Sequence, residues 1–373
     1  MTRPLVIRYV THSLRSCWNH GNAHFLRGVL RELRLAGHDV HSYEAPDAWS
    51  ARHLAADHGA AMLSAWAHDY PELAGRVHVG IPDAAALLDG ADVVIVHEWN
   101  DPALVAALGV ERARSAGGAV LLFHDTHHRA VTAPHEMARY DLDGYDGVLA
   151  FGETLSELYR ARGWGREVVT WHEAADTRHF RPLAVPHPRS GVAWIGNWGD
   201  GERATELRDF LLRPVRDAGL ELRVWGVRYP DDALAMLAAH GASWMGWAPN
   251  TRVPALFATH LATVHVPRRA YVQALPGIPT IRVFEALACG IPLVSAPWDD
   301  TESLFRRGTD HLVAHDSVSM TRTLRTLHDD RALRDALVHA GLETIRARHT
   351  CAHRARELLQ LVGTLRAPAA APA

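Results

Sequence analysis

Two doubly wound α/β domains, each built on a parallel sheet, are the fold this sequence predicts. Short apolar runs recur along the chain with room for a helix between them. The runs are apolar at successive positions, as in Val93-Val94-Ile95-Val96, which marks strands covered on both faces. The pattern lapses in a proline-bearing stretch after residue 173 and then starts again. A chain of 373 residues suits two domains of ordinary size.

The first half opens with a strand over residues 5–10 and a Ser/Asn/Gly-rich loop over 11–22. A helix over 24–35 follows from the spacing of Phe25, Val29, Leu30 and Leu33, and Gly37 stops it. Residues 39–43 read as the second strand and the Ala-rich stretch 47–75 as helical. Further strands are predicted over 91–97, 119–123, 147–151 and 167–171, with a helix over 153–162. Residues 176–190, with Pro182, Pro186 and Pro188, read as a linker between a domain over 1–175 and one over 191–345. The second half has strands over 191–195, 220–225, 261–266 and 292–295. Helices are predicted over 202–218 and from Val283 until Gly290 ends that one. From residue 317 the pattern is helical to 361. The helix 346–366 is expected to pack on the N-terminal domain, and the Ala/Pro tail 367–373 to be disordered.

A net charge of −3 argues against the basic excess that nucleic-acid binding usually needs. Cys17, Cys289 and Cys351 are odd in number, far apart and without metal-ligand spacing. They fit a reducing compartment, and a cytoplasmic location is expected. No long apolar segment precedes the first strand, and no run of 18 apolar residues could span a membrane. The 26 histidines are mostly scattered, so they do not by themselves make a metal site.

Several segments carry chemistry at predicted strand ends. The turn Gly196-Asn197-Trp198-Gly199-Asp200-Gly201 joins a strand to a helix, and its glycines let backbone approach a phosphate. Arg203 and the pair Arg268-Arg269 could supply positive charge there, or simply face solvent. Thr280 and Ile281 precede a helix whose first N–H groups suit an anion, and Arg282 lies at the same end. In the first half, His124 and His127 lie in Phe123-His124-Asp125-Thr126-His127-His128-Arg129 and are candidates for acid–base work. Metal binding by that histidine cluster is the alternative, though neighbouring loop residues rarely converge. Asp141-Leu142-Asp143 matches a metal-binding D-x-D by chance frequency only. No G-x-x-x-x-G-K-[ST] loop, no G-x-S-x-G elbow and no dinucleotide G-x-G-x-x-G turn after the first strand occurs.

Four segments together resemble one family. They are Ala36-Gly37-His38-Asp39-Val40, then Asp176-Thr177-Arg178-His179-Phe180-Arg181-Pro182, then Trp244-Met245-Gly246-Trp247 with Pro254-Ala255-Leu256-Phe257. The most specific is Gly277 to Val294, with Phe284-Glu285-Ala286-Leu287-Ala288-Cys289-Gly290-Ile291-Pro292 at its centre. The chain resembles a GT-B-fold glycosyltransferase of the large retaining family 4, near its spore-coat-maturation-type branch. The resemblance implies two Rossmann-like domains facing across a cleft. It also implies a nucleotide-sugar donor bound by the C-terminal domain, and an acceptor bound by the N-terminal one around His12, Gly21 and His97.

Within the motif, Glu285 matches the glutamate that holds the donor ribose. Gly277 stands where the family has the first glutamate of the motif, which usually touches the sugar. The reaction implied is metal-independent glycosyl transfer with retention and no cofactor. A nucleotide-sugar epimerase or a non-catalytic nucleotide-sugar-binding protein are the alternatives. The sequence names neither the base nor the sugar, nor whether the acceptor is a saccharide, a lipid-linked glycan, a small molecule or a protein.

Overall fold

A computed structural model of the chain describes residues 3–115, 118–185, 187–199 and 201–366. The tail 367–373, expected to be disordered, lies outside them. The chain forms two compact units. The first takes its residues from 1–16, 25–173 and 351–373, the second from 17–24 and 174–350.

The first unit holds a seven-stranded sheet. Its strands are β1 (Val6–Val10), β2 (Asp39–Glu44), β3 (Val77–Val79), β4 (Val93–His97), β5 (Val120–Asp125), β6 (Gly147–Ala150) and β7 (Val168–Thr170). Their order is β3-β2-β1-β4-β5-β6-β7 and every pairing is parallel. Every residue of β4, β5 and β6 is buried, as a sheet covered on both faces requires. The helix Cys351–Arg366 belongs to this unit. The indole of Trp171 donates to the Arg354 carbonyl at 3.1 Å, and Arg366 pairs with Asp92 at 2.8 Å.

The second unit holds six parallel strands: β8 (Val192–Ile195), β9 (Leu222–Trp225), β10 (Ala242–Trp244), β11 (Ala262–His265), β12 (Leu293–Ser295) and β13 (Leu312–Val313). Their order is β10-β9-β8-β11-β12-β13. Leu207, Leu211 and Val215 of the first crossover and Met320, Leu324 and Leu327 of the helix Ser317–Asp329 join the same apolar core. No helix of the described residues is long and apolar enough to cross a membrane.

The structure departs from the sequence reading in physically interpretable places. β3, β10 and β13 were not expected. All three are edge strands of two or three residues without a buried apolar run. The stretch 47–75 is not one helix. It breaks at Gly59, whose φ of +87° ends the helix Trp49–His58 before another begins at Met62. Another helix, Pro102–Arg114, also escaped the sequence reading. The Asp101 side chain caps it by accepting from Ala103 N at 2.9 Å, with proline at its first position. The stretch 176–190 groups with the second unit, where Arg189 donates to the Gly290 carbonyl at 2.7 Å.

Two glycines of the first unit should respond oppositely to alanine. A Cβ on Gly144 would lie 2.2 Å from the Gly109 carbonyl oxygen, a backbone atom that cannot step aside, whereas Gly363 is exposed in a helix with nothing within 4 Å. Urea unfolding should show Gly144→Ala destabilised by about 1–3 kcal/mol. Gly363→Ala should be stabilised by about 0.5–1 kcal/mol.

Candidate active site

In a doubly wound sheet, ligands bind beyond the carboxyl ends of the strands where the winding reverses. In the second unit that point lies between β8 and β11. A pocket opens beside it, at the carboxyl ends of β8, β9 and β10. Ile195, Gly196 and Asn197 after β8 and Trp225 and Gly226 after β9 form one wall. Trp247, Ala248, Asn250 and Arg282 form another, and Cys17, Asn19 and His20 complete the lining. The close approach of the first two turns needs glycine, since a Cβ on Gly226 would lie 2.0 Å from the Gly196 oxygen.

Side-chain amides hold this pocket in shape. Asn197 donates to the Asn19 amide oxygen at 2.6 Å and accepts from Val227 N at 3.0 Å. Asn250 donates to the Gly21 carbonyl at 2.9 Å, and its N–H points to Cys17 Sγ at 3.3 Å. Gly21, expected beside His12 and His97, therefore groups with the second unit instead. A Cβ on it would press against Ile281 at 3.0 Å. Sequence reading named Trp247 only within a family-like segment and missed Asn250 altogether, because a single amide carries no signal until the fold brings it to a strand end.

Glu285 sits in the helix Ile281–Cys289. That helix starts two residues earlier than the sequence suggests, so Glu285 lies beyond the first turn, where the helix dipole helps little. Its side chain is fully buried and faces Arg282, to which it is ion-paired, and His24 Nδ1, 3.1 Å from Oε1. Burial pushes its pKa up, but the charge of Arg282 and the hydrogen bonds from His24 and Arg282 outweigh that, and the carboxyl is held below its ordinary value. Arg282 joins this enclosed carboxylate to the open pocket. Thr280 is the N-cap, although its hydroxyl makes no capping bond.

The remaining arginines are engaged within the protein. Arg203 is buried and donates to the carbonyls of Val266 at 2.8 Å and Asn197 at 2.9 Å, with its guanidinium 5.4 Å from the Trp194 ring. Burial, and then Arg268, lower its pKa to about 10. It braces the glycine turn from behind rather than presenting charge to the pocket. Arg268 pairs with Glu202 at 2.8 Å and Arg269 with Glu206 at 2.9 Å. Gly277 has a φ of +93°, and a Cβ there would meet Thr301 Oγ1 at 2.2 Å. The backbone at this place admits glycine and no glutamate; the Glu302 carboxylate lies 3.6 Å from that point.

In the first unit the winding reverses between β1 and β4. His97 and His124, register partners on β4 and β5, are buried there. His97 Nε2 lies 3.1 Å from Thr126 Oγ1, and His124 Nδ1 is hydrogen-bonded to the Tyr9 hydroxyl. Burial lowers the His124 pKa to about 3, so the imidazole is neutral. If Tyr9 donates, Nε2 carries the hydrogen and can donate; in the other tautomer Nε2 is an acceptor. His12 is held at about 4 by burial and by Arg129, with its ring 6.5 Å from His97. His127 packs edge-on against Trp99 at 5.1 Å, and its N–H donates to Asp125 at 2.9 Å. Asp125 also accepts from Tyr159 at 2.7 Å, and burial pushes its pKa up to about 6. Glu98, buried beneath them, is ion-paired with Arg129. No group of three metal-ligating side chains occurs among the described residues.

Residues 205–360 match the family model described as glycosyl transferase-like. No curated protein matches the chain. Solved structures of the same fold include a glycosyltransferase from Rickettsia africae, with TM-score 0.67 at 10% identity over 98% of this chain and 99% of that one. Another is the sucrose-phosphate synthase of Thermosynechococcus elongatus, at 0.65 and 14% identity over 97% and 99%. The T4 phage β-glucosyltransferase is a third, at 0.59 and 12% over 97% and 99%. The two doubly wound sheets and these structural neighbours show the GT-B fold.

The depressed pKa of Glu285 sets a pH test. Its contribution to stability is complete above the ordinary glutamate value of 4.5 and is lost as pH falls through the lower folded value. Glu285→Gln should therefore cost clearly more stability in urea unfolding at pH 7 than at pH 3. An equal cost at both would show that the carboxylate charge contributes nothing.

Proposed function

We propose that the chain moves a sugar from a uridine-diphosphate sugar to an acceptor hydroxyl, with retention and without a metal. The pocket of the second unit carries this reading. It combines two indoles, Trp225 and Trp247, a fixed amide pair, Asn197 and Asn250, and one cation, Arg282. Indoles suit a flat base, and an arginine beside a helix start suits a diphosphate. A solved T4 phage relative of the same fold holds UDP-glucose, and an α-glucosyltransferase of the same fold holds UDP. Charge from Arg282 and from the N–H groups beyond Thr280 would stabilise the leaving diphosphate in place of a metal. Glu285 orients Arg282, and would take the ribose hydroxyls by exchanging His24 or Arg282 for them. His124, neutral and buried, would serve the sugar as a hydrogen-bond partner, with His12, His97 and His127 beside it on the acceptor side.

A thermal-shift series with UDP, GDP, ADP, CDP and dTDP tests the donor. UDP at 100 times its Kd should add about 2.7 kcal/mol, and the others much less. Arg282→Ala should weaken UDP binding by about 1.5–3 kcal/mol, tenfold or more in Kd. Glu285→Ala should also slow turnover of UDP-glucose, and wild-type turnover would remove Glu285 from the site. Turnover abolished by EDTA, or an inverted anomeric centre by NMR, would overturn the metal-independent and retaining parts respectively.

A further inference from the structure

Resting on the glycosyltransferase reading, a second pocket lies wholly within the first unit and speaks to the acceptor. It is lined by Trp99, Asn100, Asp101, Arg129, Glu136 and Arg139 among others, and has a cavity volume of about 410 Å³. That falls within the range of small-ligand pockets, roughly 300–1,000 Å³. Trp99 is 43% exposed, unusual for an indole at the end of a fully buried strand.

The ring is exposed but not loose. The Arg129 guanidinium lies 3.9 Å from its centroid, and Arg129 is itself locked by the buried Glu98 carboxylate. His127 packs edge-on at 5.1 Å and His12 lies tilted at 6.0 Å. Tyr140 donates to the carbonyls of Glu98 and, at 3.2 Å, of Asn100, fixing the loop that carries the indole. The Asn100 side chain donates to the carbonyls of Val10 at 3.1 Å and His97 at 2.8 Å. A rigid aromatic face with a polar surround loses little entropy on binding.

The rim fixes the chemistry of the occupant. Asp101 and Glu136 are set against Arg129 and Arg139, and Arg129 is already neutralised by Glu98. Such a balanced rim does not attract a polyanion, but its donors and acceptors suit a ring of hydroxyls. The apolar C–H face of a pyranose matches the indole. We infer that Trp99 is a stacking platform for a pyranose ring, and that the acceptor is a saccharide docked in this pocket.

Saturation-transfer NMR on the full chain with methyl α-D-glucoside, methyl α-D-mannoside and methyl β-D-galactoside tests this. Transfer to ring C–H protons of at least one glycoside is expected. It should fall about fivefold or more in Trp99→Ala and persist in Trp99→Tyr. Trp99→Leu replaces the alanine variant if that does not fold. The thermal shift with UDP, read on the same proteins, should be unchanged. Saccharide signals equal in wild type and Trp99→Ala, or none with any glycoside, overturn the proposal. So does a short oligothymidine that binds in a Trp99-dependent way while the glycosides do not, which would give the platform to a base. Loss of the UDP shift in the wild type defeats the donor reading alone, because the saccharide signal and its dependence on Trp99 are read independently.

Discussion

Parallel pairing is the constraint on which the rest of this structure depends. Every recorded strand pairing in both sheets is parallel, so the carboxyl ends of all strands in a sheet lie along one edge. Ile195 and Trp225 therefore end beside one another although 30 residues separate them, and His97 lies opposite His124 across a crossover helix. Parallel strands also need coverage on both faces, which buries whatever polar group stands at their ends. The chemistry of each unit is thus collected by topology and desolvated by the same layers that stabilise the sheet.

Each unit sets a buried carboxylate against an arginine at that edge, though Glu285 is held below its ordinary pKa while burial and Asp125 push Glu98 above its own. In the second, Glu285 is enclosed by Arg282 and His24; in the first, Glu98 is enclosed by Arg129. Removing one partner would strand an uncompensated buried charge, a strongly destabilising event. In each case the arginine also lines an open pocket. The carboxylate behind it fixes where the guanidinium points, so the same residue serves the core and the site. Arg203 shows the opposite outcome. It is buried as deeply as Arg129 and more deeply than Arg282, but spends its donors on two backbone carbonyls and so shapes the glycine turn without facing the pocket.

The central strands of both sheets were legible because each is a buried apolar run, and such runs have few other interpretations. The edge strands β3, β10 and β13 were not, since one side of each lacks a partner and the side chains need not be apolar. The glycine turn after β8 was legible for a local reason, the strand–glycine–helix sequence. The fates of Arg203, Arg268 and Arg269 were not, because whether an arginine meets a ligand, a carbonyl or a glutamate depends on residues distant in sequence. Glu202 and Glu206 lie more than sixty residues from the arginines they hold. Gly21 illustrates the same limit: it sits in the β1–helix connection, yet its neighbours are Asn250 and Ile281.

By itself, then, the sequence determined the two parallel sheets, the strand-end placement of the candidate residues and the glycine-rich approach to the second pocket. These follow from short-range pattern, hydrophobic runs and turn chemistry, which neighbouring residues encode. Only the tertiary structure decided that Glu285 is enclosed rather than open, that Arg282 and not Arg203 meets the pocket, and that Trp99 is held rigid at an exposed rim. Those outcomes depend on burial and on ion pairs between distant segments, and both are properties of the packed chain rather than of any stretch of it.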